Sequence, residues 1–308
     1  MKRALLTAAL ALAACDGGQE SAQVEVERQE PPLFTRQSAA VDLPAYFDCL
    51  RERGLTAVSA HRGGPAAGFA ENAIPTFENT LRVAPLTFLE VDVAQTADGA
   101  LVLMHDDRVE RTTTGSGALG ALNLAQLQTF RLEDERGRAL SASVPTLREA
   151  LAWADGRTVL ELDIKRGVAY EDVIAEVEDA DAMRRVVFIT YSGNAAARLA
   201  RLAPEAMIYT SISSARELDV LERNGVDLDH IVAWTGSGAP SRGLAEALAA
   251  RGVEVRFGMF GDERDYANAA RAGAQIVAVD RAFEAVRALD AADGVDGYGA
   301  LQCAANEG

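Results

Sequence analysis

The chain has 308 residues, of which 49% are hydrophobic and 25% are charged, so it can bury a sizeable core and suits a single α/β barrel. Its formal net charge is -16, from 46 acidic and 30 basic residues. Such a field repels nucleic acids and anionic lipid surfaces, which argues against a polyanion-binding module. Any site for an anion must therefore be built locally, by a bound cation or by a few Arg and Lys side chains.

The N-terminus has the features of an export signal. Residues 1–14 begin with Lys2 and Arg3 and continue as an apolar run that is too short to cross a membrane. The run ends in Leu-Ala-Ala-Cys at residues 12–15, which resembles a bacterial lipobox. We therefore expect an exported lipoprotein that faces the periplasm or the cell exterior and is held on the membrane by lipid on Cys15. An ordinary secretory signal with an incidental cysteine is the alternative.

A polar tether is expected to follow the signal. Residues 15–42 contain Pro31-Pro32 and show no sustained hydrophobic period, which is typical of a flexible linker. A helix is predicted over Leu43–Arg53, because Gly54 directly after it is a good stop signal. Residues 43–308 are expected to form the one folded domain.

Short apolar or β-branched runs alternate with helical stretches through this domain. Strands alternating with helices predict βαβ units and a parallel sheet, and their number indicates a (β/α)8 TIM barrel. There are nine strand candidates for eight places, and we expect the surplus one among the segments at 207–211, 231–234 and 253–257. The nine candidates are Ala57–Ala60, Phe88–Val93, Leu101–Met104, Val159–Ile164, Val186–Thr190, Met207–Ser211, Ile231–Trp234, Val253–Phe257 and Ile276–Val279. Helical periodicity is clearest at Leu147–Ala154 and Asn194–Leu202.

Two cysteines remain in the domain, Cys49 before the first strand candidate and Cys303 near the C-terminus. The two ends of a barrel chain approach each other in space, and an exported protein folds in an oxidising compartment. A Cys49–Cys303 disulfide is one possibility, and two separately buried thiols are the other.

Ionisable residues stand at the ends of the first three strand candidates. His61-Arg62 follows the first candidate, Glu90 and Asp92 lie near the end of the second, and His105 follows the third. Residues i and i+2 of a strand lie on the same face, so Glu90 and Asp92 project together. Two carboxylates in an apolar strand need a counter-ion, and their oxygens suit a hard divalent cation such as Ca²⁺ or Mg²⁺.

The fourth candidate continues the pattern. Glu161, Asp163 and Lys165 share one face of it, opposite Leu162 and Ile164. In a barrel, polar groups at the C-terminal ends of strands point into the catalytic mouth. A single such strand would favour a satisfied network of buried salt bridges, whereas four in succession favour an active site.

These motifs together resemble the glycerophosphodiester phosphodiesterase family, a group of phospholipase C-like barrels. The resemblance is strong over residues 58–165 and weak from 186 to 281, where Val279-Asp280-Arg281 is similar to the family's closing strand. The motifs that carry it are His61-Arg62-Gly63, Glu90-x-Asp92, Thr96-Ala97-Asp98-Gly99, His105-Asp106, Arg111-Thr112-Thr113-x-Gly115-x-Gly117, Val144-Pro145-Thr146-Leu147-x-Glu149-Ala150-Leu151 and Asp163-x-Lys165.

The family's Glu-Asn-Thr signature has two possible counterparts here. Glu78-Asn79-Thr80 matches it literally, but the family places the signature nine or ten residues after the histidine and six residues before a Phe. Glu71-Asn72-Ala73, followed by Phe77, has that spacing. We therefore expect Glu71 and Asn72 in the site and Glu78 on the solvent-facing side of a helix.

The resemblance implies metal-dependent hydrolysis of a glycerophosphodiester to glycerol 3-phosphate and an alcohol. Glu90, Asp92 and Asp163 would hold one divalent cation. Arg62 and Lys165 would bind the phosphodiester oxygens. We expect Ca²⁺ rather than Mg²⁺, because calcium is available outside the cytoplasm and the ligands are all oxygens.

The same resemblance makes His61 and His105 the general acid and general base, and it leaves open which is which. Imidazole suits this task because its pKa lies near working pH. The glycerol hydroxyl next to the phosphate would attack first, and water would then open the cyclic phosphate.

The sequence departs from the family in two places. The third metal ligand is usually Glu, and Asp163 is one methylene shorter, so Glu161 is a possible auxiliary ligand. The family's Trp-Thr on a late strand corresponds to Val255–Met259, where Phe257 is the expected pocket wall. Arg256 faces either the mouth or the surface, and Trp234-Thr235 matches the Trp-Thr pair one strand too early.

Two other functions compete with this one. A phospholipase C or D-like barrel would attack intact phospholipid or lysophospholipid, but no broad aromatic or cationic segment for membrane entry is evident. A binding lipoprotein with a degenerate site would not turn over substrate, yet all four polar strand ends keep usable residues. The oligomeric state is left open by the sequence.

Overall fold

A computed structural model describes residues 43–261, 265–295 and 297–304. The expectations for the signal peptide, for lipidation of Cys15 and for the tether lie outside the described residues and stay predictions. The helix predicted over Leu43–Arg53 is confirmed with both its ends.

Parallel strands form a closed barrel, which confirms the predicted fold class. The strands are β1 (Ala57–Ala60), β2 (Phe88–Gln95), β3 (Leu101–Leu103), β4 (Leu160–Ile164), β5 (Val186–Thr190), β6 (Met207–Ser211), β7 (Ile231–Trp234), β8 (Glu254–Met259) and β9 (Ile276–Val279). Strand β1 pairs with β9 on one side and with β2 on the other, and this double pairing closes the sheet.

Helices lie between the strands and cover the barrel. The helices are α1 (Leu43–Arg53), α2 (Ile74–Val83), α3 (Leu124–Leu127), α4 (Leu147–Ala154), α5 (Tyr170–Asp179), α6 (Gly193–Leu202), α7 (Ala215–Arg223), α8 (Arg242–Ala249), α9 (Ala267–Arg271), α10 (Ala282–Asp290) and α11 (Leu301–Ala304). Local chemistry sets several starts: α4 begins with a capping box in which Thr146 and Glu149 exchange side-chain and backbone hydrogen bonds. No helix in these ranges is long and apolar enough to span a bilayer.

The expected place of the surplus strand is wrong. The segments at 207–211, 231–234 and 254–259 are all barrel strands, and the extra strand is β3, which pairs antiparallel with the end of β2. The turn at Asp98-Gly99 is tight enough for a hairpin, since Gly99 has a φ of 85°. Strand candidates that are apolar and similar in length do not reveal the direction of their pairing, so the sequence did not distinguish β3 from a barrel strand.

The segment after β3 forms a lobe beside the mouth of the barrel. It has its own hydrophobic cluster, separate from the main core. Val102, Met104, Val109, Leu127 and Leu132 are buried members of this cluster. The lobe matters for function because it holds the segment that begins at His105.

Helix α1 lies across the N-terminal ends of the strands. Phe47 contacts Phe88 and Tyr209 with ring centroids 6.1 and 6.3 Å apart, and Tyr46 also contacts Phe88. Arg51 makes an ion pair with Glu254 at the start of β8. The helix therefore closes the end of the barrel opposite the C-terminal ends of the strands.

Cys49 of α1 and Cys303 of α11 form a disulfide, with their Cα atoms 5.7 Å apart. Of the two possibilities that the sequence left open, the structure contains the bond. It links segments 254 residues apart. Closing so long a loop removes conformational entropy from the unfolded chain.

Removing this disulfide is expected to lower the free energy of unfolding by about 2–4 kcal/mol, because the unfolded chain regains that entropy. The change is Cys49→Ser with Cys303→Ser, and the measurement is equilibrium denaturation in urea. Reduction of the unmodified protein should reproduce the loss, and reduction of the double variant should add nothing. Equal stability of both proteins under oxidising conditions would contradict the prediction.

Candidate active site

The carboxylates of β2 and β4 lie side by side in two layers. The strands pair in parallel with Glu90 opposite Glu161 and Asp92 opposite Asp163. All four residues are buried. Paired residues of adjacent strands lie next to each other on the same face of the sheet. The carboxylates of the two strands therefore form one acidic cluster.

Three of these carboxylates fit a metal ion. Ligand oxygens of Glu90, Asp92 and Asp163 lie within 4.8 Å of one another. Burial raises the pKa of Glu90 well above its usual range, and the neighbouring charge of Asp92 adds to this, while the backbone N–H of Arg62 opposes it. A divalent cation would supply the charge that the cluster lacks, and an all-oxygen donor set suits a hard cation.

Neighbouring side chains hold two of the three carboxylates in place. The Asn72 side chain donates to Asp92 Oδ2 at 2.6 Å and accepts from the Asp92 backbone N–H at 2.9 Å. Lys165 Nζ lies 2.5 Å from Asp92 Oδ1 and 2.7 Å from Asp163 Oδ2. The Tyr191 hydroxyl donates to Asp163 Oδ1 at 2.7 Å. Both aspartates are thus oriented by hydrogen bonds, which keeps their free lone pairs directed at the cluster.

The turn after β1 brings Arg62 to the same place. Arg62 has a left-handed φ of 53°, and its backbone N–H donates to Glu90 Oε2 at 2.7 Å. The next residue must be glycine, since a Cβ at Gly63 would lie 2.2 Å from the Phe77 ring. The left-handed conformation of Arg62 costs on the order of 1–3 kcal/mol and persists where the surrounding structure holds it. Here the turn places an arginine side chain beside the acidic cluster.

His61 stands at the mouth with one ring nitrogen occupied. Its Nδ1 lies 2.9 Å from Asp280 Oδ1, at the end of β9. The hydrogen bond to His61 lowers the pKa of Asp280, so Asp280 is a carboxylate that accepts from the ring. An imidazole whose Nδ1 is held by a carboxylate can exchange a proton through its Nε2 atom.

His105 is held in the same way from the lobe. Its Nδ1 lies 2.7 Å from Asp106 Oδ1, and the Arg111 guanidinium lowers the pKa of Asp106 to about 2. Arg111 also bonds Glu71 with both terminal nitrogens at 2.8 Å. The two histidines of the mouth therefore each have a carboxylate partner.

The structure places Glu71 in the site and Glu78 outside it. Glu71 accepts from Arg62 at 3.1 and 3.2 Å, and its side chain is 13% exposed. Glu78 lies on the outer side of α2, where it accepts from the indole N–H of Trp153 at 3.3 Å. Of the two candidates, the one that the spacing selects is therefore the one that contacts Arg62, and the role of Glu71 in binding stays a prediction.

Glu161 is not available as an auxiliary ligand, and that expectation is wrong. Its oxygens accept from Ser59 at 2.5 Å, from Tyr209 at 3.0 Å and from Arg256 at 2.8 Å. It is fully buried, one layer below Asp163. Arg256 is buried too, which resolves its open orientation: it is the counter-ion of Glu161 inside the barrel.

Phe257 is not a pocket wall, which corrects a second expectation. Since Arg256 points into the barrel, Phe257 must point out of it, and it packs in the hydrophobic core. Phe260 lies at the mouth instead, with its ring centroid 5.1 Å from that of His61 and 6.3 Å from that of Trp234. A Cβ at Gly258 would meet the Phe260 ring at 2.3 Å, so the glycine makes room for it.

Tyr191, Asp280 and Phe260 were given no role from the sequence. Tyr191 and Asp280 directly follow β5 and β9, so their position at a C-terminal strand end was an available signal. Phe260 follows Arg256 and Gly258 at a spacing of two residues, so strand alternation predicts that it faces the barrel interior as they do.

The chain is similar to known phosphodiesterases along most of the barrel. Residues 61–281 match the sequence profile described as the glycerophosphoryl diester phosphodiesterase family. A glycerophosphoryl diester phosphodiesterase structure from Parabacteroides distasonis is 30% identical, covers 80% of this chain and 92% of that one, and superimposes with a TM-score of 0.72. A phosphodiesterase from Oleispira antarctica, solved in complex with the product sn-glycerol-3-phosphate, is 23% identical with a TM-score of 0.63, covering 78% of this chain and 99% of that one.

Curated relatives match over a shorter stretch. A glycerophosphodiester phosphodiesterase from Caldanaerobacter subterraneus is 27% identical over 160 residues, which are 50% of this chain and 65% of that protein. An uncharacterized protein of Bacillus subtilis, YqiK, is 31% identical over 157 residues, which are 49% and 64% of the two chains. The chain thus covers less than two thirds of the length of these relatives. Because the profile match extends over most of the barrel, the chain belongs to the glycerophosphoryl diester phosphodiesterase family.

Proposed function

We propose that this protein hydrolyses glycerophosphodiesters to glycerol 3-phosphate and an alcohol in a metal-dependent reaction. The observation that carries the proposal is the convergence of three carboxylates with two carboxylate-held histidines at one mouth of the barrel. Family membership supports the same reaction, as does the product complex of the Oleispira phosphodiesterase, which shares the fold.

Glu90, Asp92 and Asp163 would hold the cation, and Ca²⁺ is our proposal over Mg²⁺. When bound, the cation draws negative charge from the phosphoryl oxygens. Arg62 and Lys165 lie against the same carboxylates and would bind the remaining oxygens. Burial opposes the charge of Lys165, but Asp92 and Asp163 together raise its pKa above the usual value, so Lys165 stands beside these carboxylates as a cation. This supplies the local positive charge that a chain of net charge -16 needs.

The two histidines move the protons. One takes the proton from the glycerol hydroxyl next to the phosphate, and that oxygen forms a bond to phosphorus while the bond to the alcohol oxygen breaks. The other gives its proton to the leaving oxygen. Water then opens the cyclic phosphate with the roles reversed. Asp280 and Asp106 keep each ring oriented by accepting from Nδ1.

The cation proposal predicts that Ca²⁺ raises the melting temperature of the protein and that Asp163→Asn abolishes this shift. At a hundred times the Kd, ligand binding stabilises the folded state by about 2.7 kcal/mol. Asp172→Asn is the matched control, because Asp172 is exposed on α5 and bonds Gln95 instead of the cluster. A shift that persists in Asp163→Asn would contradict the ligand set.

The reaction itself is tested by release of glycerol 3-phosphate from glycerophosphocholine with Ca²⁺, with Mg²⁺ and with EDTA. We expect turnover that EDTA abolishes and that Ca²⁺ restores better than Mg²⁺. Product from lysophospholipid but not from the soluble diester would favour a phospholipase-like enzyme. No turnover of either would favour a binding protein with a degenerate site.

We also propose that the protein is exported and anchored through Cys15. The lipobox-like Leu-Ala-Ala-Cys supports this, and so does the disulfide, because such bonds persist in oxidising compartments. Labelling with a fatty acid in cells should depend on Cys15 and be lost in Cys15→Ser.

A further inference from the structure

Two cavities meet at Asp163 and Tyr191, which line both of them. The inner cavity, of about 170 Å³, lies within the barrel mouth and is lined by His61, Trp234 and Phe260 among others. The outer groove, of about 690 Å³, is bordered by the segments that follow β4 and β5. A glycerophosphodiester carries two groups on its phosphate, a glycerol arm and an alcohol arm. Two cavities that share Tyr191 as a lining residue can accommodate one arm each.

The sizes of the two cavities indicate which arm of the substrate each cavity accommodates. The inner cavity is small and suits a three-carbon glycerol arm beside His61. The outer groove is several times larger and is bordered by exposed residues, so it accommodates an alcohol of variable size. Selectivity for the alcohol must then come from the side chains of the groove.

The outer groove is cationic, against the charge of the whole chain. Lys165, Arg166 and Arg198 line it, and Asp163 is the one acidic lining residue among those that the structure describes. Lys165 is already engaged by Asp92 and Asp163. The two arginines are therefore the groups left to bind a further anion.

Among the described residues, neither arginine has a buried ion-pair partner. Arg166 is exposed, and no residue within 43–261, 265–295 or 297–304 forms an ion pair with it. Arg198 lies over the Tyr170 ring, 5.4 Å from its centroid, and bonds Glu171 at 2.9 Å. Both partners of that ion pair are about half exposed, and such pairs contribute little. Arg198 can therefore exchange Glu171 for a ligand oxygen, with Tyr170 keeping its guanidinium plane in place.

We propose that this groove selects diesters whose alcohol arm carries an anionic group, a phosphate or a carboxylate. The proposal rests on the proposed function, since it names the substrate class of the same site. Guanidinium groups bind such groups through charge-assisted, bidentate hydrogen bonds. An alcohol arm with a cationic group finds no such hydrogen bonds in this groove, and the charges of Arg166 and Arg198 repel it.

The test uses glycerophosphoinositol 4-phosphate and glycerophosphoinositol, which differ by one phosphate on the alcohol arm, with glycerophosphocholine as the cationic case. We expect kcat/KM to be higher for the phosphorylated diester by roughly 5- to 20-fold at low salt, mainly through KM. Raising the salt concentration to 0.5 M should shrink this ratio, because exposed charges are then screened.

The variants Arg166→Gln and Arg198→Gln should each lower the ratio by roughly threefold or more, and together they should bring it close to one. Arg201→Gln is the matched control: it removes the same charge from α6, but Arg201 does not line the groove. It should keep the ratio of the unmodified protein.

Turnover of all three diesters without a preference for the phosphorylated one would overturn the inference and leave the proposed function standing. A preference that both groove variants keep would overturn it as well. Failure to turn over any diester with Ca²⁺ or Mg²⁺ would remove the proposed function and the subsite with it.

Discussion

Replacing His61 with alanine is expected to lower kcat/KM by about 10²–10⁴-fold, the usual contribution of general acid–base catalysis. His61 stands directly after β1, its Nδ1 bonds Asp280 at 2.9 Å, and its ring lines the inner cavity. The barrel should still fold, because the side chain is at the mouth and 35% exposed. Release of glycerol 3-phosphate from glycerophosphocholine measures the loss, and circular dichroism checks the fold.

His230→Ala is the matched control for this variant. His230 precedes β7 at the N-terminal end of the barrel, away from the mouth, and lines a different cavity beside Leu43 and Met207. We expect its activity to stay within a factor of two of the unmodified protein, on the order seen for sites far from the chemistry. An His61→Ala protein that retains a third or more of its activity would refute the catalytic role.

Replacing Arg256 with methionine is expected to lower the free energy of unfolding by about 3–5 kcal/mol, since it leaves a buried carboxylate without its counter-ion. Arg256 Nη2 lies 2.8 Å from Glu161, and the two side chains are 6% and 0% exposed. The guanidinium also lies 4.8 and 5.0 Å from the ring centroids of Tyr209 and Trp234. Urea denaturation measures the loss.

Two further variants separate the charge from the packing. Arg256→Met combined with Glu161→Leu should recover most of the lost stability, because a buried ion pair and an apolar pair of similar volume have similar energies. Arg148→Met removes an arginine whose side chain is 59% exposed, and it should cost less than about 1 kcal/mol. If Arg256→Met and Arg148→Met lower the free energy of unfolding equally, the ion pair between Arg256 and Glu161 does not stabilise the barrel interior.

The Arg256 pair also bears on the chemistry above it. Trp234 and Tyr209 line the inner cavity, and both rings contact the Arg256 guanidinium. The ion pair therefore holds two walls of the cavity as well as neutralising Glu161. Glu90 lies in the same layer as Glu161, and Asp92 and Asp163 lie one layer higher. A rigid layer beneath the two aspartates would benefit a metal site, because its ligands must be held within a fraction of an ångström.

The sequence predicted most of the acidic cluster because strand alternation is a local property. Glu90 and Asp92 share a face whatever the strand pairs with, and so do Asp163 and Lys165. The polar ends of consecutive strands must also meet once the strands are parallel. This is why residues far apart in the chain could be assigned to one site before any contact was known.

The error at β8 came from matching Phe257 to the family's Trp without testing the match against strand alternation. Arg256 and Phe257 are neighbours, so one must face the barrel interior and the other the helices. The buried Glu161 decides the matter, since a charge inside the barrel requires its partner there. Strands β4 and β8 are not paired, so neither residue reveals the other until the barrel closes and both side chains face its interior.

The sequence by itself determined the barrel, the ionisable residues at the strand ends, the spacing that favours Glu71 over Glu78, and the possibility of the Cys49–Cys303 bond. Only the tertiary structure decided that β3 is a hairpin strand, that Glu161 pairs with Arg256, and that Tyr191 holds Asp163. The physical reason is the range of the forces involved. Periodicity and turn chemistry act between near neighbours, whereas pairing direction and the partner of a buried charge are set by segments that the chain brings together only on folding.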